Sequence, residues 1–197
     1  QGLSVEFNRA GHLFGAASLL VSDGKTRIAF SGDLGRENDP MVPAPDFRGD
    51  PDYVVIESTY GNRTHEPIPP IEQLKDVVNR TIGRRGVLVI PSFAVGRAQL
   101  LLYYLHQLRK QGAIPKVPIY LNSPMASHTN EVMLRAAGES RLSREQMEEI
   151  CETAKVVSSP EESIELNERH EPMIIIAASG MAAGGRVLHH LKAFAPD

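Results

Sequence analysis

Three polar side chains stand where apolar runs begin or stop. In Gly11-His12-Leu13-Phe14-Gly15-Ala16-Ala17-Ser18 an imidazole sits between glycines ahead of Leu19-Leu20-Val21. In Ala29-Phe30-Ser31-Gly32-Asp33-Leu34-Gly35-Arg36 a carboxylate sits between two glycines after the run, and Tyr53-Val54-Val55-Ile56 ends in Glu57-Ser58-Thr59-Tyr60-Gly61. Glycine lets the backbone turn sharply or admits a close neighbour, so these side chains are held at strand ends. Asp beside glycine is also ordinary turn chemistry, and Asp33 alone reads as a turn residue. Taken together, the three strand ends could converge on one sheet edge, and imidazole with carboxylate is a donor set that suits zinc.

A second group suits anions. Ser179-Gly180-Met181-Ala182-Ala183-Gly184-Gly185-Arg186 leads from a strand into a helix, and free N–H groups with a helix dipole there would cradle phosphate, gripped by Arg186. The competing reading is a tight turn that needs its glycines only for packing. Ile90-Pro91-Ser92-Phe93-Ala94-Val95-Gly96-Arg97 makes the same strand-to-helix passage, with Ser92 able to cap and Arg97 in the first helical turns. A cation there does not serve the helix dipole, so it points to a substrate or to an internal carboxylate. Leu121 to Ala126 is a third strand-end turn, and open α/β sheets bind ligands beyond the carboxyl ends of their strands. Arg84, Arg85, Arg97 and Arg186 are read as a local basic patch.

Residues 3 to 9 and 19 to 30 read as strands around the His12 turn, with Ser22-Asp23-Gly24-Lys25 as a hairpin connection. Glu37 to Asp52 reads as a loop over the sheet edge, and Tyr53 to Ile56 as a continuous apolar strand buried on both faces. Past Gly61 the texture alternates. Pro69-Pro70 opens a helix with Ile71, Leu74, Val77, Val78 and Ile82 on one face, and Gly86 to Ile90 is a buried strand. Ala94 to Gln111 is a helix with a stripe of Ala98, Leu101, Leu102, Leu105 and Leu108, and Pro118 to Leu121 a strand. Ser143-Arg144-Glu145-Gln146 has the capping-box arrangement of a helix running to about Val156. Met173 to Ala178 is a strand, and a last helix runs to about Phe194. This alternation predicts an α/β fold with a mainly parallel sheet and right-handed crossovers.

With 197 residues, 42% hydrophobic content and no long apolar segment, the chain reads as soluble, with one large or two small domains. A net charge of -3 provides no bulk attraction for polyanions, so nucleic-acid contact needs a local basic cluster. The single cysteine, Cys151, fits a reducing cytoplasm and reads as buried filler. His189 and His190 point about 100° apart on a helix and cannot easily share a metal. His65, His106, His128 and His170 read as surface or capping residues, and Glu145, Glu148, Glu149 and Glu152 as a solvated helix face.

The wording and spacing of GHxxGAAS, SGDLGR and ESTYGNR resemble the metallo-β-lactamase-fold nucleases of the β-CASP family. The likeness is to the RNA-processing branch, related to the endonuclease subunit of the cleavage and polyadenylation specificity factor. It implies that residues 1–61 are the C-terminal part of a metallo-β-lactamase sheet and residues 62–197 an inserted β-CASP cap. It further implies RNA phosphodiester hydrolysis with two zinc ions in the intact parent, His12 and Asp33 as metal ligands, and Asp33 and Glu57 as catalytic residues. Glu57 would partner a later histidine that protonates the leaving oxygen. Ser92, Arg97, Ser179, Gly180, Gly184, Gly185 and Arg186 would line the phosphate and RNA channel. The HxHxDH signature does not occur in the chain, nor do the SxH and VHGE motifs that follow the cap. The expectation is therefore a metal-free, inactive fragment of a zinc-dependent ribonuclease, cytoplasmic, with RNA as partner, no membrane, and a homo-oligomer left open. The alternatives are a DNA-processing nuclease of the same superfamily and a non-catalytic phosphate- or nucleotide-binding α/β module.

Overall fold

The computed structural model describes residues 2–64 and 67–195, so His65 lies outside the described residues. The chain divides into two compact units, one of Gln1–His65 with Ala136–Ser143, the other of Glu66–Arg135 with Arg144–Asp197. No helix among the described residues is long and apolar enough to cross a membrane.

The first unit is a four-stranded sheet in sequence order, β1 (Ser4–Arg9), β2 (Ala17–Ser22), β3 (Arg27–Phe30) and β4 (Tyr53–Val55). β1, β2 and β3 pair antiparallel, while β4 lies parallel to β3. Asp23 sets the β2–β3 hairpin: its Oδ1 accepts the N–H groups of Lys25 and Thr26 at 2.9 and 2.8 Å. Register aligns Val5, Val21, Ile28 and Tyr53 in one row and Phe7, Leu19, Phe30 and Val55 in another. Because cross-strand partners share a face, these eight apolar side chains lie on one side of the sheet. On the other side Leu20 and Ala29 are buried, with the loop after Arg36 packed close: a Cβ on Gly49 would come within 2.7 Å of Leu20 Cδ2.

The expectation that Tyr53 to Ile56 is buried on both faces is corrected, since these residues are 54 to 65% exposed. β4 is the last strand of its sheet, and no second layer covers it among the described residues.

The second unit is α/β. Its elements are α1 (Pro70–Gly83), β5 (Val87–Pro91), α2 (Arg97–Lys110), β6 (Ile119–Asn122), α3 (Ala126–Arg135), α4 (Arg144–Cys151), β7 (Lys155–Val157), α5 (Pro160–Asn167), β8 (Met173–Ala177) and α6 (Val187–Phe194). The sheet order is β5-β8-β6-β7 with every pairing parallel. β8 is central, and all five of its residues are fully buried, as a continuous apolar run in a parallel sheet requires. β5 is an edge strand and only half-buried, not buried as its composition suggested.

Proline at the start of α1 fits a position whose N–H has no helical partner, and Val78 and Ile82 bury its apolar face. α2 buries Ala98, Leu102, Leu105 and Leu108 of the predicted stripe, while Leu101 is only half-buried. The helix expected to reach Val156 stops at Cys151, because Lys155–Val157 pairs with β6 and buries Val157. α5 carries a reciprocal capping box: Ser159 Oγ accepts Glu162 N–H at 3.1 Å, and Glu162 Oε2 accepts Ser159 N–H.

Candidate functional site

In the first unit the three motif turns meet around Leu34. Gly11 bridges Leu34 in a short antiparallel contact, and Gly35 N–H donates to Ala10 O at 2.8 Å. A Cβ on Gly35 would lie 1.7 Å from Gly11 O, so the crossing of these two turns admits only glycine. Leu34 N–H donates to Glu57 Oε1 at 2.6 Å, which ties the third turn to the same residue. Glu57 N–H in turn donates to Ser31 Oγ at 2.9 Å, and the buried Ser18 hydroxyl donates to Ser31 O at 2.6 Å.

The Leu34 N–H, then the Thr59 hydroxyl, hold the Glu57 carboxyl below its ordinary value against the opposing effect of burial, and His12 adds a smaller favourable charge. Glu57 is thereby kept a carboxylate. It suits a fixed acceptor that orients a partner, and it is a poor proton donor near neutral pH. His12 and Asp33 are exposed, with their backbones on either side of this junction. Ser18, Ser31 and Thr59 were not singled out from sequence. Ser18 and Ser31 sit inside the motifs quoted above, and only the pairing of β2 with β3 brings them together.

In the second unit the carboxyl ends of the strands carry the other set. Ser92 N–H donates to Ala177 O at 2.9 Å, so the loop after β5 starts against the end of β8. Ser92 is buried and its hydroxyl donates to Phe93 O at 3.1 Å. It does not cap α2, whose N-cap is Gly96 at φ 75° and whose first turn has neither a side-chain cap nor an acidic residue. Arg97 is exposed and has no ion pair among the described residues, so the internal carboxylate considered for it is absent there.

The loop Ser179–Arg186 touches the Ser92 loop directly: a Cβ on Gly180 would meet Phe93 N at 2.8 Å and the Phe93 ring at 2.9 Å. Gly185 needs its glycine too, because it sits at φ 74° and a Cβ there would lie 2.9 Å from Ala178 O, whereas Gly184 faces open space. The expected cradle of free N–H groups at the start of α6 is corrected. Val187, Leu188 and His189 N–H donate to the carbonyls of Ala178, Gly185 and Arg186 at 3.0, 3.3 and 3.1 Å.

Arg186 is also corrected, because its guanidinium turns inward. It donates to Asn122 Oδ1 at 2.7 Å, Val157 O at 3.2 Å and Ser158 O at 2.6 Å, joining the ends of β6 and β7. The acceptors are neutral, so its charge persists while its hydrogen-bonding fork is used internally. Asn122 continues the network, donating through Nδ2 to Ser163 Oγ at 2.7 Å and meeting His190 Nε2 at 2.6 Å. His190 Nδ1 faces Asn167 Oδ1 at 2.7 Å.

Because Arg186 occupies Asn122 Oδ1, the amide nitrogen faces the imidazole. Nε2 therefore accepts, and the proton sits on Nδ1. His190 is fully buried and His189 exposed, so the two do not share a ligand. The four-arginine patch divides: Arg84 and Arg85 precede β5 at the amino edge of the sheet, while Arg97 and Arg186 follow strands at the carboxyl edge.

The discounted side chains take ordinary places. His106 meets Thr153 Oγ1 at 3.2 Å and Glu149 at 3.3 Å, and His128 and His170 are exposed. Cys151 is half-buried, and burial pushes its thiol up.

Comparison with known proteins places the sequence. The Beta-Casp domain model matches residues 98–197. Ribonuclease TTHA0252 of Thermus thermophilus is 36% identical over 200 residues, covering 96% of this chain and 45% of that protein. Transcription termination factor FttA of Methanosarcina mazei is 33% identical over 208 residues, covering 99% and 32%. An RNase J-like protein of Methanocaldococcus jannaschii is 31% identical over 199 residues, covering 98% and 46%. The chain thus spans less than half the length of these relatives. With a Beta-Casp match over half its residues, the chain belongs to the β-CASP family.

Proposed function

We propose that this chain is the cap and adjoining sheet of a cytoplasmic, zinc-dependent ribonuclease that hydrolyses RNA phosphodiester bonds in processing or decay. Residues 1–61 belong to its metallo-β-lactamase domain and residues 62–197 to its β-CASP cap, of which Ala136–Ser143 pack with the first unit. The observation that carries this reading is the junction at Leu34, where the His12, Asp33 and Glu57 turns meet through the Gly11 bridge and the Glu57 hydrogen bond. The names of the relatives, a ribonuclease, a termination factor and an RNase J-like protein, favour RNA over DNA.

Among the described residues no group of three or more His, Cys, Asp or Glu is placed to hold a metal ion. The described residues therefore do not by themselves fit a two-zinc centre, and among them His12 and Asp33 are part of a ligand set at most. Its own side chains orient and bind. Glu57 presents a fixed carboxylate to a proton-carrying partner. Arg97 offers an exposed cation beside the Ser92 loop, with no ion pair among the described residues, and Ser179, Gly180, Gly184 and Gly185 supply backbone to a phosphate. Arg186 holds that loop to the ends of β6 and β7.

The test is anisotropy of a labelled single-stranded RNA with the purified chain, alongside elemental analysis and a cleavage gel. Weak, salt-sensitive binding without cleavage and without stoichiometric zinc is expected. Absence of binding at low salt would remove the RNA reading, and cleavage or stoichiometric zinc would overturn the partial-site reading.

A further inference from the structure

Resting on the proposed function, we infer that residues 136–143 are a positioning strap for the turns that carry His12 and Asp33, with Arg141 as its working side chain. This stretch is separated from the rest of its unit by roughly seventy residues of sequence, yet it folds within that unit. It contains a short 3-10 turn, Ala137–Glu139, and then Ser140 and Arg141 face the loop that follows Asp33. Arg141 N–H donates to Met41 O at 2.9 Å, its Nε to Val42 O at 3.4 Å and its Nη2 to Glu37 O at 2.9 Å. Ser140 Oγ donates to Met41 O at 3.0 Å and accepts Leu142 N–H at 3.0 Å. One arginine and one serine thus hold three points of a loop that has no regular structure of its own.

That loop braces both turns. At its start, Gly35 N–H is bonded to Ala10 O at 2.8 Å, one residue before the Gly11–His12 turn. At its end, Pro43 O and Pro45 N lie 2.9 and 2.7 Å from where a Gly11 Cβ would stand. Arg9 Nε donates to Ala44 O and Asp46 N–H to Arg9 O, both at 2.9 Å.

Between these anchors Asp39 Oδ1 accepts the N–H groups of Met41 and Val42, both at 2.8 Å, leaving their carbonyls for the strap. Met41 is buried at 3% exposure, so the middle of the loop is seated as well as bonded. Arg141 is exposed and none of its three acceptors is a carboxylate. Its removal deletes no packed side chain and unpairs no buried charge. It frees the loop between anchors that sit beside His12 and Asp33.

The experiment compares the chain with Arg141→Ala and Arg141→Gln by amide hydrogen exchange at Leu34 and Gly35. It adds NMR shifts of the His12 ring and, as a control for folding, the urea midpoint. Both variants are expected to exchange at Leu34 and Gly35 at least about tenfold faster, to shift the His12 ring resonances, and to keep the urea midpoint. Exchange and His12 resonances that match the parent chain would overturn the strap, and so would a change spread evenly over the sheet with a lowered midpoint. None of these readouts requires RNA, so failure of the strap and failure of the ribonuclease reading are told apart by the anisotropy titration.

Discussion

Replacing His190 by glutamine should make the stability of the chain less dependent on pH, by an amount that the burial of the ring fixes. His190 is fully buried, and burial first, then the charges of His189 and Arg186, push its imidazole from 6.5 down to about 4. Three neutral side chains meet the ring: Asn122 from β6, Asn167 from α5, and Phe194 of its own helix, stacked at 6.5 Å between centroids.

The sign follows from where the proton binds. Above the ordinary value of 6.5 neither the folded nor the unfolded chain protonates this ring. Between 6.5 and about 4 the unfolded chain takes up a proton that the folded chain refuses, so stability falls as pH falls. At about 1.4 kcal/mol per pH unit, the loss is about 2 kcal/mol near pH 5 and approaches about 3 kcal/mol below pH 4. Protonation would also set an Nε2–H donor against the Asn122 amide donor, which cannot rotate without giving up Arg186.

The assay is urea unfolding of the chain and of His190→Gln from about pH 7 to about pH 4.5. At neutral pH the variant should be less stable by about 1–3 kcal/mol, because Asn122 and Asn167 lose a partner. The gap should then narrow as pH falls, since only the parent chain carries the His190 contribution. A gap that stays constant over this range would refute the reasoning, because it would mean that the ring titrates alike folded and unfolded.

Gly35→Ala should destabilise the first unit by more than about 3 kcal/mol, since the new methyl would lie 1.7 Å from Gly11 O, and urea or thermal unfolding reads this directly. Arg97→Ala should weaken RNA binding and lower the slope of log affinity against log salt by about 1, measured by anisotropy at several salt concentrations. Ser159→Ala should cost about 1 kcal/mol in urea unfolding, through loss of the capping box of α5. Phe7→Ser with Tyr53→Ser should reduce binding of an apolar dye, because these side chains are 76 and 64% exposed on the apolar face of the first sheet.

Much of the second unit was legible because a parallel sheet buries its central strands on both sides. Met173 to Ala177 therefore reads as an unbroken apolar run, and the leucine stripe of α2 repeats at helical spacing. The three motif turns were legible because glycines mark where backbones cross, and Gly35 against Gly11 is such a crossing. β7 was missed because three residues carry too little pattern to compete with the helix before them, and α5 was missed with it although Ser159 and Glu162 form a capping box at its start.

The exposure of Tyr53 to Ile56 was not legible, since apolarity states a preference for burial and not whether another layer provides it. The inward turn of Arg186 and the occupied N–H groups of α6 depend on strand ends brought together only by the fold. The strap at 136–143 has no periodicity, and its partners lie about a hundred residues earlier.

The proposed function rests on three turns meeting at Leu34, and titration of the Glu57 carboxyl by carbon-detected NMR tests that meeting most directly. The predicted midpoint lies below the ordinary glutamate value, with the Leu34 amide proton shifting in step as the carboxylate that accepts it is protonated. A midpoint at or above the ordinary value, or a Leu34 amide indifferent to the titration, would contradict it.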